Sequence, residues 1–237
     1  MLAKGQIMTD QDIIKKINNV LGRVTKFFDS VNIIPESYRR VKEREQIEDD
    51  EHFYRNLWLN DKNHKYKPNQ NMLSFTGKEI DELRIPAYVV GCSGRAKLFV
   101  YYAQQEGLNN IFIVPTVKIS DIGKENMRGH QIIAVKMSDG HWQLVNPNKS
   151  LFGKGRINEK FELGKDIDAL NRGKPEFRIT VEKPLTPKEH DEIDSPEKLQ
   201  AVYSMKKYEF DSASKQIKKE LAQQLQNTNL SNQYQNS

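Results

Sequence analysis

Apolar residues in the first quarter of the chain recur at helical spacing. After Thr9 or Asp10, either of which can cap a helix, an apolar stripe predicts a helix over residues 9–30. A second, highly charged helix is predicted over residues 36–59, with its apolar residues concentrated near its end. The N-terminal part, residues 1–85, is therefore predicted to be helical.

The pattern changes from helical spacing to short apolar runs after Gly107. Before it, apolar residues on one face predict a helix that begins near Cys92, and Gly107 is typical of a helix end. After it, the runs IFIVPTV, QIIAVKM, HWQLVNP and EFRITVE each have the length of a strand. Asp139 and Gly140 separate the second run from the third, as in a tight hairpin turn. These features predict a helix packed on an antiparallel sheet.

The chain becomes helical again after Pro184. Ser195 followed by Pro196 is a strong helix start, and a last helix is predicted around residues 217–225, before a polar tail that we expect to be disordered. Helices, then a helix with a sheet, then helices again are typical of the α+β class. Three parts result: a helical region at residues 1–85, a core at 86–183, and a helical extension with the disordered tail at 184–237.

Charge and composition exclude several classes of function. The 37 Lys and Arg residues are interleaved with 32 Asp and Glu residues, so the net charge of +5 indicates a mixed polar surface rather than a nucleic-acid-binding stripe. No apolar run reaches the length of a membrane span, and the first residues contain no apolar leader, so we expect a cytoplasmic protein without a membrane partner. One cysteine cannot form an internal disulfide or a cysteine-rich zinc site, and the histidines lack metal-ligand spacing. We therefore expect no metal and no cofactor.

The single cysteine, Cys92, lies where a glycine-containing loop is predicted to become a helix. A helix N-terminus presents unpaired N–H groups, which favour the thiolate and are predicted to lower the pKa of the thiol. Gly91 allows close approach of the backbone, and the N–H groups near Ser93 can receive an oxyanion. Tyr88, four residues before the cysteine, is predicted either to line the same oxyanion site or to pack in the core.

A thiol nucleophile needs a base and a residue that orients the base. His130 opens a predicted strand, and Asn146 ends the strand on the other side of the hairpin turn, so the hairpin brings the two side chains together. His141 is a weaker alternative base because it lies in the turn, and Asn148 is an alternative orienting residue. Three further histidines lie in charged or loop segments and are expected to be solvated: His52, His64 and His190.

The two stretches GCSGRAKLFVYYAQQEGL and GHQIIAVKMSDGHWQLVNPN resemble the transglutaminase-like superfamily of cysteine enzymes, over about residues 86–150. The resemblance implies a papain-like fold in which the nucleophile helix packs on an antiparallel sheet. It also implies that Cys92 is the nucleophile, His130 the base and Asn146 the orienting residue. The family usually has Asp where this chain has Asn146, and a neutral amide adds no negative charge to stabilise an imidazolium.

The resemblance implies cysteine-dependent acyl transfer on amide or peptide groups of a protein or peptide substrate. Hydrolysis, as in a protease or deamidase, is favoured over crosslinking because no segment reads as a calcium loop or an amine site. The alternative is a protein-binding module that keeps the fold and has lost the chemistry. The composition is typical of an AT-rich, bacterial genome, and the polar tail is compatible with an effector exported to a host. The sequence identifies neither the substrate nor the oligomeric state.

Overall fold

The computed structural model describes residues 8–45, 50–61, 72–122, 124, 127–148, 156–160, 164–167, 175–181 and 183–204. The helix predicted around residues 217–225 and the polar tail lie outside these ranges.

The described segments of the N-terminal part are mainly helical, as predicted. Helix α1 (Asp10–Val31) begins at a capping box in which the Thr9 side chain and Asp12 bind each other's backbone N–H groups. Its apolar stripe is buried in the main core. The charged helix predicted over 36–59 is described in two segments, α2 (Glu36–Glu45) and α3 (Asp50–Asn60), and the four residues between them lie outside the described ranges.

Helix α4 (Gly77–Glu82) packs directly against the long helix α5 (Ala87–Gln105). A capping box between Thr76 and Glu79 starts α4. A side chain at Gly77 would place its Cβ 2.3 Å from the carbonyl oxygen of Lys97, so only glycine permits this approach. Helix α5 packs on the first two strands of the sheet, and helices α1, α3 and α4 pack against α5.

The sheet is antiparallel throughout, and its strand order is β4-β3-β2-β1-β6-β5. The structure confirms the four strands expected from the apolar runs and adds β4 and β5. The strands among the described residues are β1 (Ile111–Lys118), β2 (Gly129–Lys136), β3 (Trp142–Asn146), β4 (Arg156–Lys160), β5 (Asp166–Ile167) and β6 (Phe177–Ile179).

The two faces of the sheet are both buried but belong to different clusters. Ile133 and Val145 pack in the cluster that contains the apolar residues of α1 and α5. Ile132 and Leu144 pack with Phe177 in a second cluster. This alternation follows from the two-residue period of a strand. The α+β class expected from the sequence is confirmed, whereas a papain-like core stays a prediction.

Two short helices follow the sheet, α6 (Pro187–Asp191) and α7 (Pro196–Ser204). The Ser195 hydroxyl accepts a hydrogen bond from the Lys198 N–H, which confirms the helix start expected there. Before α6, the backbone of Leu185 exchanges two hydrogen bonds of 2.8 Å with Ile113 of β1. The segment after Pro184 is therefore tied to the sheet.

Candidate active site

Cys92 follows a break near the start of α5. Gly91 has φ 60° and ψ −152°, a conformation that L side chains rarely adopt, and the helix starts again after it. The helix thus begins earlier than predicted, at Ala87, but the break still gives Cys92 the predicted place at the start of a helical segment. The N–H groups of Cys92 and Ser93 consequently point toward the thiol and act to lower its pKa.

The carbonyl side of the break is satisfied by an arginine from α3. Arg55 Nε lies 3.2 Å from the carbonyl oxygens of both Tyr88 and Val89. These carbonyls end the first part of α5 and would otherwise lack helical partners. Arg55 therefore stabilises the bend that presents Cys92.

Tyr88 is half-buried, and its ring packs edge-on against Tyr54, with the ring centroids 6.2 Å apart. Burial raises the pKa of Tyr88 to about 12, so the phenol keeps its proton at neutral pH. These contacts fit the packing interpretation, and a role in the oxyanion site stays a prediction.

The Cys92 thiol meets the sheet at the start of β2, where the backbone N–H of Gln131 donates to its sulfur. The positive charge of Arg95 also acts to lower the pKa of the thiol. Burial acts in the other direction and is the larger effect, so it raises the pKa of Cys92. This result is opposite to the lowered pKa expected from the helix start alone.

His130 is buried, with 5% of its surface exposed, and its ring lies 5.1 Å from that of Phe177. Its Nε2 lies 3.4 Å from Asn146 Oδ1. Burial lowers the pKa of His130 to about 4, with a further lowering from Arg95, while the contact with Asn146 raises it. At neutral pH the imidazole is therefore uncharged.

Asn148 fixes the orientation of the Asn146 amide. The backbone N–H and the Nδ2 of Asn148 lie 3.1 Å and 3.0 Å from Asn146 Oδ1. Because a backbone N–H can only donate, the facing atom of Asn146 must be its oxygen. Nε2 of His130 also lies 3.3 Å from Asn148 Nδ2. A proton on Nε2 donates to Asn146 and leaves Nδ1 as the basic nitrogen, whereas a proton on Nδ1 leaves Nε2 to accept from Asn148.

The structure brings His130 and Asn146 together, as the hairpin pattern predicts. The ladder between β2 and β3 ends at Ile133 and Val145, and the two polar residues lie just past its end. Among the described residues, however, no hydrogen bond joins Cys92 to the His130 ring. The sulfur instead contacts the peptide N–H that directly follows His130 in the chain.

His141 lies at the far end of β2, where its backbone N–H and ring bind Asp139 in the turn. Asp10 lies nearby, and one ligand atom from each of these three residues lies within 4.8 Å of the others. This partly exposed group is separated from His130 by the length of β2. It therefore provides no ligand for chemistry at Cys92.

Sequence reasoning missed three residues that hold this site: Arg55, Gln131 and His190. Gln131 interrupts the apolar pattern of its strand, which is a usable signal for a buried polar contact. His190 was expected to be solvated, but only 1% of its surface is exposed, and it contacts Gln131. Neither His190 nor Arg55 follows a pattern in the sequence, because each reaches the site from a distant helix.

Comparison of the chain with family models, with curated proteins and with solved structures finds no match. The transglutaminase-like resemblance therefore stays a prediction carried by the motifs within residues 86–150. Among the described helices, none combines the length and the apolar character needed to cross a membrane.

Proposed function

We propose that the protein is a transglutaminase-like cysteine enzyme that transfers acyl groups from protein amide or peptide bonds, most readily to water. The observation that supports this proposal is the cluster at the start of β2. There the Cys92 sulfur, at a helical start, contacts the N–H beside His130, and the His130 ring contacts Asn146. A nucleophile, a base and an orienting amide are the parts that acyl transfer through a thioester requires.

The reaction begins with Cys92 and His130 both neutral, because burial raises the pKa of the thiol and lowers that of the imidazole. Nδ1 of His130 takes the thiol proton as Sγ attacks the carbonyl carbon. For this step the sulfur must exchange its contact with the Gln131 N–H for one with Nδ1. Such contacts are often looser in a free enzyme than in its substrate complex.

The tetrahedral oxyanion is stabilised by backbone N–H groups at the helical start after Gly91. The C–N bond then breaks, and the amine leaves with the proton held by His130. Water attacks the thioester, His130 takes a proton from it, the C–S bond breaks and the proton returns to sulfur. Asn146 keeps the imidazole in the tautomer that these transfers use.

A second candidate is a protein-binding module with the same fold. The burial of His130, and the raised pKa of the thiol, favour this alternative. The two candidates differ in whether Cys92 can be acylated and whether His130 accelerates that step.

An activated ester, p-nitrophenyl acetate, tests the nucleophile. Intact-mass spectrometry of the full chain should show one acetyl group on Cys92 and none in Cys92→Ala. Peptide mass spectrometry of lysate proteins treated with wild type or Cys92→Ala then identifies the outcome as cleavage, deamidation or crosslinking. Equal acetylation of the two proteins, or identical lysate peptides, would support the binding module instead.

A further inference from the structure

A buried polar contact links helix α6, outside the region of resemblance, to the candidate active site. His190 Nε2 lies 2.5 Å from the side-chain oxygen Oε1 of Gln131, and both residues have 1% of their surface exposed. Because an amide oxygen only accepts, Nε2 carries the proton. Nδ1 of His190 is buried and has no hydrogen-bond partner among the described residues. The side-chain hydrogen bond found for this ring is therefore the one from Nε2 to Gln131.

Gln131 lies where the sheet gives its backbone little support. Its position opposite Pro115 lies between the hydrogen-bonded pairs of the ladder with β1, so its backbone groups point away from β1 toward the side of β3, and the pairing of β2 with β3 ends at Ile133. The Gln131 carbonyl instead accepts a hydrogen bond from Asn148 Nδ2 at 3.4 Å. The position of this peptide therefore depends on side-chain contacts.

The same peptide holds the nucleophile, because its N–H donates to the Cys92 sulfur. A displacement of the Gln131 backbone by a fraction of an ångström would lengthen this contact. Gln131 thus contacts Cys92 through its backbone and His190 through its side chain, and it couples the two residues.

Helix α6 is in turn fixed to the helix that carries Cys92. Asp191 Oδ1 lies 3.2 Å from Nζ of Lys97 in α5, and the Lys97 side chain is 4% exposed. A capping box between Thr186 and Glu189 holds the start of α6. The short helix therefore contacts both sides of the site, namely α5 through Asp191 and β2 through His190.

We infer that His190 and Gln131 are a positioning pair for Cys92: His190 anchors the Gln131 side chain, and the Gln131 backbone N–H thereby stays aimed at the thiol sulfur. This inference rests on the proposed function for its catalytic meaning. Its geometry does not depend on which acyl group is transferred.

The test measures the rate of Cys92 alkylation by iodoacetamide as a function of pH, which needs no substrate. An N–H donor that stabilises the thiolate lowers the pH at which alkylation begins. His190→Leu removes the donor to Gln131 and should slow alkylation at pH 7 by about threefold to tenfold, with the profile moved to higher pH. His190→Gln keeps an N–H donor and should stay within about twofold of wild type.

Gln131→Leu removes the acceptor and keeps the backbone N–H, so it should reproduce the effect of His190→Leu. The double variant should add no further change, because both substitutions break the same contact. Lys188→Gln is the matched control on α6: the Lys188 side chain is exposed, so this change should leave the alkylation profile unchanged. Melting temperatures of all variants separate loss of fold from loss of position.

A folded His190→Leu variant with the wild-type profile would overturn the inference. If His190→Leu does not fold, a wild-type alkylation profile in folded Gln131→Leu would overturn the inference instead. On the unaltered chain, the amide resonance of Gln131 should shift when Cys92 is alkylated, and an unchanged resonance would also contradict the pairing. If the alkylation profile shifts in His190→Leu but the wild-type protein is never acylated, only the proposed chemistry is refuted. If the wild-type protein is acylated but the alkylation profiles of the variants do not shift, only the positioning pair is refuted.

Discussion

Cys92 and His130 are both surrounded largely by protein, and the pKa of each moves toward the value that keeps the group neutral. Water stabilises charges far better than a protein interior, so burial disfavours both a thiolate and an imidazolium. Asn146 fits this arrangement, because a neutral amide orients the ring without holding a proton on it. At the scale of single residues, the site is therefore suited to base-assisted attack by a thiol rather than to a preformed ion pair.

His130 rather than His141 should be the base. His130→Ala should lower the rate of Cys92 acetylation by about a hundredfold or more, since general-base catalysis contributes on that scale. His141→Ala should stay within about twofold, because His141 lies in the turn at the other end of β2. Stopped-flow release of p-nitrophenol from both variants checks this, and the reverse pattern would show that the site is assigned to the wrong histidine.

The acidic limb of the pH–rate profile should fall near the pKa of about 4 that burial gives His130. The base must be neutral, so the rate should persist as the pH falls below 6 and should be lost only near pH 4. A profile of kcat/KM against pH checks this expectation. A limb near pH 6.5, the ordinary value for histidine, would mean that the ring is solvated in the working enzyme.

Replacement of Asn146 tests the orienting role. Asn146→Ala should lower kcat/KM by about tenfold or more, because the ring loses the contact that fixes its tautomer. Asn146→Asp should keep the fold and move the acidic limb to higher pH, because a carboxylate raises the pKa of His130. Asn148→Ala should have a smaller effect, since its backbone N–H still contacts Asn146. A larger loss in Asn148→Ala than in both Asn146 variants would make Asn148 the orienting residue.

The break in α5 is the decisive feature at the scale of elements. It gives Cys92, which follows the first turn of a long helix, the free N–H groups of a helix start. Gly91 supplies the backbone conformation and Arg55 satisfies the carbonyls, so the break has support on both sides.

Gly91→Ala should destabilise the protein, and the same change at Gly22 should not. At either glycine, a Cβ would meet no atom within 4 Å, so crowding does not separate the two positions. Gly91 has a positive φ, and alanine there should cost about 1–3 kcal/mol of unfolding free energy. Gly22 lies inside α1, where alanine should stabilise by up to about 1 kcal/mol. Urea unfolding of both variants measures the difference, and equal effects would contradict the role of the break.

In the whole molecule, the elements of the candidate site contact both the N-terminal helices and a C-terminal segment that returns to the sheet. Leu185 pairs with Ile113 of β1, and His190 contacts Gln131 of β2. The segment after Pro184 therefore contributes to the interior around the site, although the resemblance to a known superfamily does not extend to it.

The stability of the whole molecule should fall between pH 7 and pH 5. Burial lowers the pKa of His130 to about 4 and that of His190 to about 3, the latter helped by Lys97, so the unfolded chain binds protons first as the pH falls below 6.5. Between pH 7 and pH 5, each of these two histidines should lower the free energy of unfolding by on the order of 2 kcal/mol. Urea unfolding at several pH values measures the slope. His190→Gln should reduce the slope, and a flat profile in wild type would mean that neither ring is buried neutral.

The elements were largely readable from the sequence because their signals are local. The capping residue Thr9, the hairpin turn before His141 and the glycine before Cys92 each act within a few positions of the chain. The same hairpin predicted that His130 and Asn146 meet, since a tight turn fixes which residues lie across from each other.

Only the tertiary structure decided the chemistry of the site. The pKa values of Cys92 and His130 depend on how much water the packed helices and both faces of the sheet exclude, and no sequence period encodes that exclusion. The contacts of Arg55 and His190 join elements far apart in the chain, so they arise from packing alone. The sequence by itself determined which groups could react and on which elements they lie, whereas the tertiary structure determined their charge and which buried side chains hold them in place.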